Sequence, residues 1–394
     1  MAGAVLAAAS VLGIAAMAPA AAAATTPMMP TPLGGQLHSP PTDLADHALG
    51  DVLFEQTREA PFGVIGDVRQ LQFRSSDSAG DPIAAVVTVF TPPQHQPDGP
   101  VLVYEEPYNA LGLECAPSNA FWSPKPEVVM RDATAFDAAL AAGWSVAIPD
   151  YLGPKSAYGA ARLGGQITLD AVRAVQRTPD LRLDHSPVAL AGYSGGAMAA
   201  GWAATLAPTY APELNLVGAA IGGVPVNILQ MAEELGHTHH PAFGLAAAVA
   251  FGLEREYGAA LPLSSFLSEE GRRYRAAIND ACTNQILVSG AGRSVDELGT
   301  SFELFYQDQT RKILRDNSLE FSEGAPQIPV YLWRGVGDPF IGAAETDATV
   351  ANWRSHGTPV TYVTVPAIEH LSGAAVGLPD AVRFLFTAMA RAGR

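Results

Sequence analysis

The sequence predicts an α/β fold: a mostly parallel sheet flanked by helices and interrupted by an inserted helical cap. Three observations carry this. Short apolar strands alternate with helical stretches over residues 68–221 and again over 329–392. The alternation stops between about 225 and 325, where the text is helical with no clear strand. A Gly-x-Ser-x-Gly pentapeptide, Gly192-Tyr193-Ser194-Gly195-Gly196, stands at one strand-to-helix junction. Parallel strands need crossover connections, so this spacing gives a sheet covered by helices on both faces.

The elements follow in order. Residues 1–24 are nearly all small or apolar and end in Ala22-Ala23-Ala24, which reads as a signal peptide with a small-residue cleavage site. No Lys or Arg precedes Arg58, so the usual basic start is missing, and a membrane anchor is the rival reading. Residues 25–50, rich in Thr and Pro at first, read as an extended N-terminal segment of linker type. Residues 68–75 and 83–90 alternate or run β-branched around the turn cluster 76–81, an antiparallel hairpin. Strands then fall at 101–104, 144–148, 187–190 and 216–221, with helices at 132–142, 165–176 and 197–206. The insert offers helices at 241–253, 269–281 and 298–316. Strand 329–333, helix 343–356, strand 360–365 and a last helix from about 379 to 392 complete the pattern. The expected division is a core of 51–224 and 326–394 with a cap of 225–325.

A formal net charge of −16 excludes the basic footprint of a nucleic-acid binder and docking on anionic lipid by charge alone. With 48% hydrophobic and only 16% charged residues, the chain is globular. It has two cysteines, Cys115 and Cys282. An even count in an exported chain suggests a disulfide; two buried free thiols are the alternative. His237-Thr238-His239-His240 invites a metal reading, but no second cluster with ligand spacing accompanies it, and a solvated loop is the simpler account. Phe243, Leu245, Val249, Phe251 and Leu253 form an apolar stretch that reads equally as the cap's own core or as a lid over an apolar site.

The pentapeptide is a weak pattern alone. Here it follows the apolar run 188–191 and precedes a small-residue helix, the strand–turn–helix setting its chemistry requires. A serine hydroxyl needs a base to take its proton, and in such folds acid and histidine follow the serine in that order. Asp338 lies just past strand 329–333, and His370 lies just past strand 360–365. Glu345, Asp347 and His356 compete but fall on the intervening helix. The expected catalytic residues are therefore Ser194, Asp338 and His370, with the Gly195 N–H as one oxyanion donor. A second donor is expected from the segment after strand 101–104, with Asn109 as the choice and Glu106 or Tyr108 as alternatives.

The chain resembles the secretory lipase family, of the lipase-A type known from yeasts and with relatives in actinobacteria. The resemblance rests on the pentapeptide, Cys115-Ala116-Pro117-Ser118, Pro149-Asp150-Tyr151-Leu152-Gly153-Pro154, Asp170-Ala171-Val172-Arg173-Ala174, and Asp338 and His370 in their settings. It implies an α/β-hydrolase core with a helical cap and hydrolysis of carboxylic esters, triacylglycerols included. It also implies a Cys115–Cys282 bridge tying the oxyanion-side loop to the cap, and no metal or organic cofactor. The expected partner is a lipid or small ester, with transient contact to lipid interfaces. Yeast-type members carry a further cysteine pair and a C-terminal flap; this chain has neither, a departure that bears on lipase against plain esterase behaviour. Two rivals share the pattern: an acyltransferase with the same three residues, and an inactive hydrolase fold that binds lipid.

Overall fold

A computed structural model describes residues 26–61, 64–125, 136–236, 239–299 and 303–392. The expected signal peptide, His237 and the start of the helix expected at 132–142 lie outside the described residues. Nine strands form one sheet among them: β1 (Val52–Arg58), β2 (Asp67–Ser76), β3 (Pro82–Thr91), β4 (Val101–Glu105), β5 (Ser145–Pro149), β6 (Val188–Tyr193), β7 (Leu216–Gly222), β8 (Val330–Gly335) and β9 (Val360–Val365). Their order is β1-β2-β3-β5-β4-β6-β7-β8-β9. The first three pair antiparallel, β3 joins β5 antiparallel, and the strands from β5 through β4 to β9 run parallel.

Local chemistry explains these elements. The β2–β3 turn is closed by the Asp77 carboxylate, which accepts from the backbone N–H groups of Ala79 and Asp81, with Gly80 at φ 91°. β4 and β5 are wholly buried, as expected for central parallel strands with helices on both faces. On one face the helices Ala161–Arg177 and Gly195–Tyr210 cover Leu71, Val87, Val103, Leu190 and Ile221. These helices meet at backbone distance: a Cβ on Gly165 would stand 2.7 Å from the Ala203 nitrogen. On the other face Phe136, Leu140, Leu385 and Met389 cover Phe90, Leu102, Val146 and Tyr331.

Between β7 and β8 the described residues contain helices and no strand, only the isolated bridges His240–Arg293 and Leu267–Gly299. The main helices are Ile228–Gly236, Phe243–Tyr257, Glu269–Ile278, Thr283–Gly290 and Asp308–Asp316. They build a third core in which Phe243, Phe251, Tyr274 and Ile286 pack with Tyr108, Leu111 and Cys115.

Four sequence expectations change. The helix expected over 298–316 is broken into Val295–Leu298, Glu303–Tyr306 and Asp308–Asp316. The last helix begins at His370, nine residues before the expected start at 379; Pro379 lies inside it. An extra strand, β1, extends the hairpin; its half-exposed, polar-rich text gave a weak periodic signal. The N-terminal segment is no free linker. The Asp280 carboxylate accepts from the backbone N–H and hydroxyl of Thr31, Arg255 Nε donates to the Met28 carbonyl, and Gln72 Nε2 donates to the carbonyls of Leu37 and Ser39. Composition alone cannot foresee such partners, because they come from residues between 33 and 249 positions away.

Candidate active site

The pentapeptide forms a sharp turn between β6 and the helix Gly195–Tyr210. Ser194 holds φ 54° and ψ −121°, a conformation that side-chain-bearing residues avoid, at a cost of about 1–3 kcal/mol. The turn is clamped: Ser194 N–H donates to the Gly222 carbonyl on β7, and Met198 N–H donates to the Ser194 carbonyl. The glycines are there for close approach. A Cβ on Gly192 would lie 2.6 Å from the Gly196 carbonyl, and one on Gly196 would lie 1.9 Å from the Glu105 carbonyl oxygen.

Ser194, Asp338 and His370 meet in one hydrogen-bonded chain. His370 Nε2 stands 2.8 Å from Ser194 Oγ, and His370 Nδ1 stands 2.7 Å from Asp338 Oδ2. Asp338 Oδ1 accepts from the Phe340 N–H at 3.0 Å, so both carboxylate oxygens are used. The Asp338 side chain is fully buried and that of His370 is 11% exposed. Glu345, Asp347 and His356 lie on or just past the helix Ala343–Ser355; the His356 ring packs on the Asn352 carbonyl. His370 is the first residue of its helix, and Glu369 accepts from the Leu371 and Ser372 N–H groups of the opening turn. The Ser372 side chain, followed by those backbone hydrogen bonds, holds the Glu369 carboxyl below its ordinary range.

Two supports of the histidine had no sequence signal. The Tyr193 hydroxyl donates to the His370 carbonyl, and its ring lies 5.1 Å from the imidazole. Phe340 meets the imidazole edge-on at 5.4 Å, and His240 meets Phe340 in turn at 6.1 Å. Tyr193 occupies a position that the pentapeptide leaves free, so only the fold assigns it a partner.

On the opposite side of Ser194, Asn109 sits against Gly195. Its Oδ1 lies where a Gly195 Cβ would be, at 1.9 Å, and that oxygen is buried without a hydrogen-bond partner. Glu106 and Tyr108 also line the space before Ser194. The Tyr108 hydroxyl is engaged elsewhere, accepting from the Leu152 N–H at 2.9 Å.

Ser194 and His370 open on a cavity of about 780 Å³. One part is walled by the insert through Ile228, Met231, Leu245, Val249 and Leu287. The apolar stretch of the insert thus divides: Leu245 and Val249 face the cavity, whereas Phe243, Phe251 and Leu253 are packed in cores. Among the described residues no group of three or more metal-ligating side chains occurs, and His239 and His240 make local contacts to the Gly292 carbonyl and the Ala242 N–H.

A family model for secretory lipases matches residues 127–391. The chain belongs to the secretory lipase family. It is 30% identical to Lipase 5 of Candida albicans over 383 residues, covering 90% of this chain and 80% of that protein. It is also 30% identical to a Mycobacterium tuberculosis protein named "Probable inactive lipase", covering 91% of this chain and 82% of that one. Candida antarctica lipase A, solved in its closed state, superposes with a TM-score of 0.83 at 25% identity, covering 91% of this chain and 86% of that one. Membership makes the chain a secreted hydrolase of the lipase and esterase type with an α/β-hydrolase fold.

In this secretory lipase the distinctive sequence strings meet in space. Asp150 accepts from the Ser118 N–H at 3.0 Å and from the Ser118 hydroxyl at 2.5 Å, joining two of them. Asp170 accepts from Ser75, Tyr210 and Arg173, locking a helix to β2. Cys115 and Cys282 are bonded, tying the loop after β4 to the insert. Burial pushes the Asp150 carboxyl up to about 7 and the Glu105 carboxyl up to about 8. Glu105 is fully buried at the end of β4; its Oε1 accepts from the Thr168 hydroxyl, and its Oε2 has no partner.

Proposed function

We propose that Ser194 is the nucleophile of a carboxylic ester hydrolase that works through an acyl-enzyme, with His370 as base and Asp338 as the residue that orients it. The observation that carries this is the unbroken chain from Ser194 Oγ through His370 to the buried Asp338. His370 Nε2 takes the serine proton as Ser194 Oγ attacks the acyl carbonyl. Asp338 holds the tautomer with the proton on Nδ1 and stabilises the imidazolium that forms. The negative oxygen of the tetrahedral intermediate is met by the Gly195 N–H and by Asn109 in the facing loop. Collapse of that intermediate breaks the ester C–O bond, and His370 Nε2 returns the proton to the departing alkoxide. Water then repeats the sequence on the acyl-serine and releases the acid.

The test is a phosphonate that labels activated serines, run beside ester hydrolysis. Wild type is expected to be labelled at Ser194 and to release acid from an emulsified triglyceride or a soluble ester. Ser194→Ala is expected to fold and to lose about 10⁴–10⁶-fold in turnover. Retention of a tenth of the wild-type rate would overturn the assignment. A chain that neither takes the label nor turns over an ester would instead match its mycobacterial relative named inactive.

A further inference from the structure

The cavity before Ser194 does not stop at the insert. Its second part runs down the opposite face of the sheet, beneath the helix His370–Ala392. Ala191 of β6 and Ala220 of β7 line it on the sheet, with Leu102 of β4. Leu378, Val382, Leu385 and Phe386 line it from the helix, at the three- and four-residue spacing that places side chains on one helix face. Trp144, just ahead of β5, also lines it, and its ring stacks on Phe386 at 4.4 Å. The space exists because the floor is alanine: a larger residue at Ala191 or Ala220 would fill it. From Ala374 to Phe386 the helix rises about 18 Å, which matches the length of the strands and suits an alkyl chain of roughly fourteen carbons.

The two parts are therefore walled by different cores and meet at Ser194. A single acyl group can enter only one of them. The departing oxygen of an ester must lie at His370 Nε2, which returns the proton, and the helix that walls the second part starts at His370 itself. We infer that this second arm holds the alkyl chain of the alcohol, so that the site takes esters in which both acid and alcohol carry a long apolar chain. The acyl chain then occupies the arm under the insert, against Leu245 and Val249. This rests on the serine–histidine reading above. Each methylene that enters an apolar arm contributes at most about a fourfold gain in kcat/KM.

The experiment is a grid of unbranched esters: butyrate with alcohols from methyl to octyl, and methyl esters of acids from acetate to laurate. In wild type, kcat/KM is expected to rise more than tenfold along each series. Val382→Phe, which narrows the second arm, is expected to lower the octyl-to-methyl ratio at least tenfold and the laurate-to-acetate ratio less than threefold. Ala246→Phe, in the insert arm, is expected to do the reverse. Should Val382→Phe fail to fold, Ala381→Leu narrows the same arm and is read in the same way. A rate that is flat with alcohol length in an active enzyme, or a Val382→Phe effect confined to acyl length, overturns the two-arm assignment while leaving the catalytic reading intact. No hydrolysis of any ester and no phosphonate label overturns both.

Discussion

The two flanks of Ser194 are built on different principles. On one flank Asp338 and His370 follow the ends of β8 and β9, and each reaches its partner directly from its own strand end. That flank has an apolar, exposed rim, with Val336, Ile368 and Leu371 each more than half exposed. On the other flank the loop after β4 is held by distant groups. A disulfide fixes Cys115 to the insert, Asp150 grips Ser118, and Arg255 donates to the carbonyls of Leu111, Lys155 and Ser156. Burial holds the Arg255 guanidinium down at about 10, and its charge is met by carbonyl oxygens. The difference is that Asp338 and His370 are set mainly by two neighbouring strand ends, whereas the loop after β4 is braced from several distant elements.

The strongest way to break this contrast is at the acid. Asp338→Asn is expected to leave the fold intact and to cost about 10⁴ in turnover, because the amide favours the wrong imidazole tautomer. Asp347→Asn, on the neighbouring helix, is the control and should change little. The reverse ranking in a side-by-side kinetic assay would move the acid to another loop.

The opposite flank is tested by cutting its covalent brace. Cys115→Ser with Cys282→Ser opens a link between residues 167 apart and is expected to cost about 2–5 kcal/mol of stability. Denaturant melts of the double variant against wild type read this, and coincident midpoints would show that the noncovalent grip suffices. Within the same loop, Asn109→Ala is expected to lower kcat by about 10²-fold with little change in stability, as loss of one oxyanion donor does. A silent Asn109→Ala would shift the second donor to another group of the loop.

A further expected effect is in pH dependence. Glu105 is neutral in the folded state up to about pH 8 but ionises near 4.5 when unfolded. Between these values the native state binds more protons than the unfolded one, so this residue's contribution to stability falls as pH rises. Wild type is therefore expected to lose stability from pH 5 to 8 relative to Glu105→Gln, by on the order of a few kcal/mol. Parallel slopes for the two proteins in thermal melts would remove Glu105 from this account.

The proposed reactive residues were legible because their signals are local. Glycines around Ser194 mark a turn that only small neighbours permit, and strand text ahead of Asp338 and His370 places both at the sheet's C-terminal edge. The breaks in the insert were not legible, since an apolar helical period continues in the text across turns that only packing imposes. Tyr193, Glu105 and Arg255 carried no signal: nothing about a tyrosine at a free motif position announces a bond to a carbonyl 177 residues away. The Cys115–Cys282 bridge was available from count and from family resemblance together.

By itself the sequence determined the alternation of strands and helices from β2 onward, the helical stretch between β7 and β8, and the residue types at the three proposed catalytic positions. Periodicity, glycine sterics and chain order are all properties of neighbours along the chain. The tertiary structure alone decided which side of the insert's apolar stretch faces the cavity before Ser194, sending Leu245 and Val249 to it and Phe251 to a core. It also decided that alanines on β6 and β7 leave an open arm beneath the last helix. An empty space between elements is set by what fails to fill it from every side, and no single stretch of chain records that.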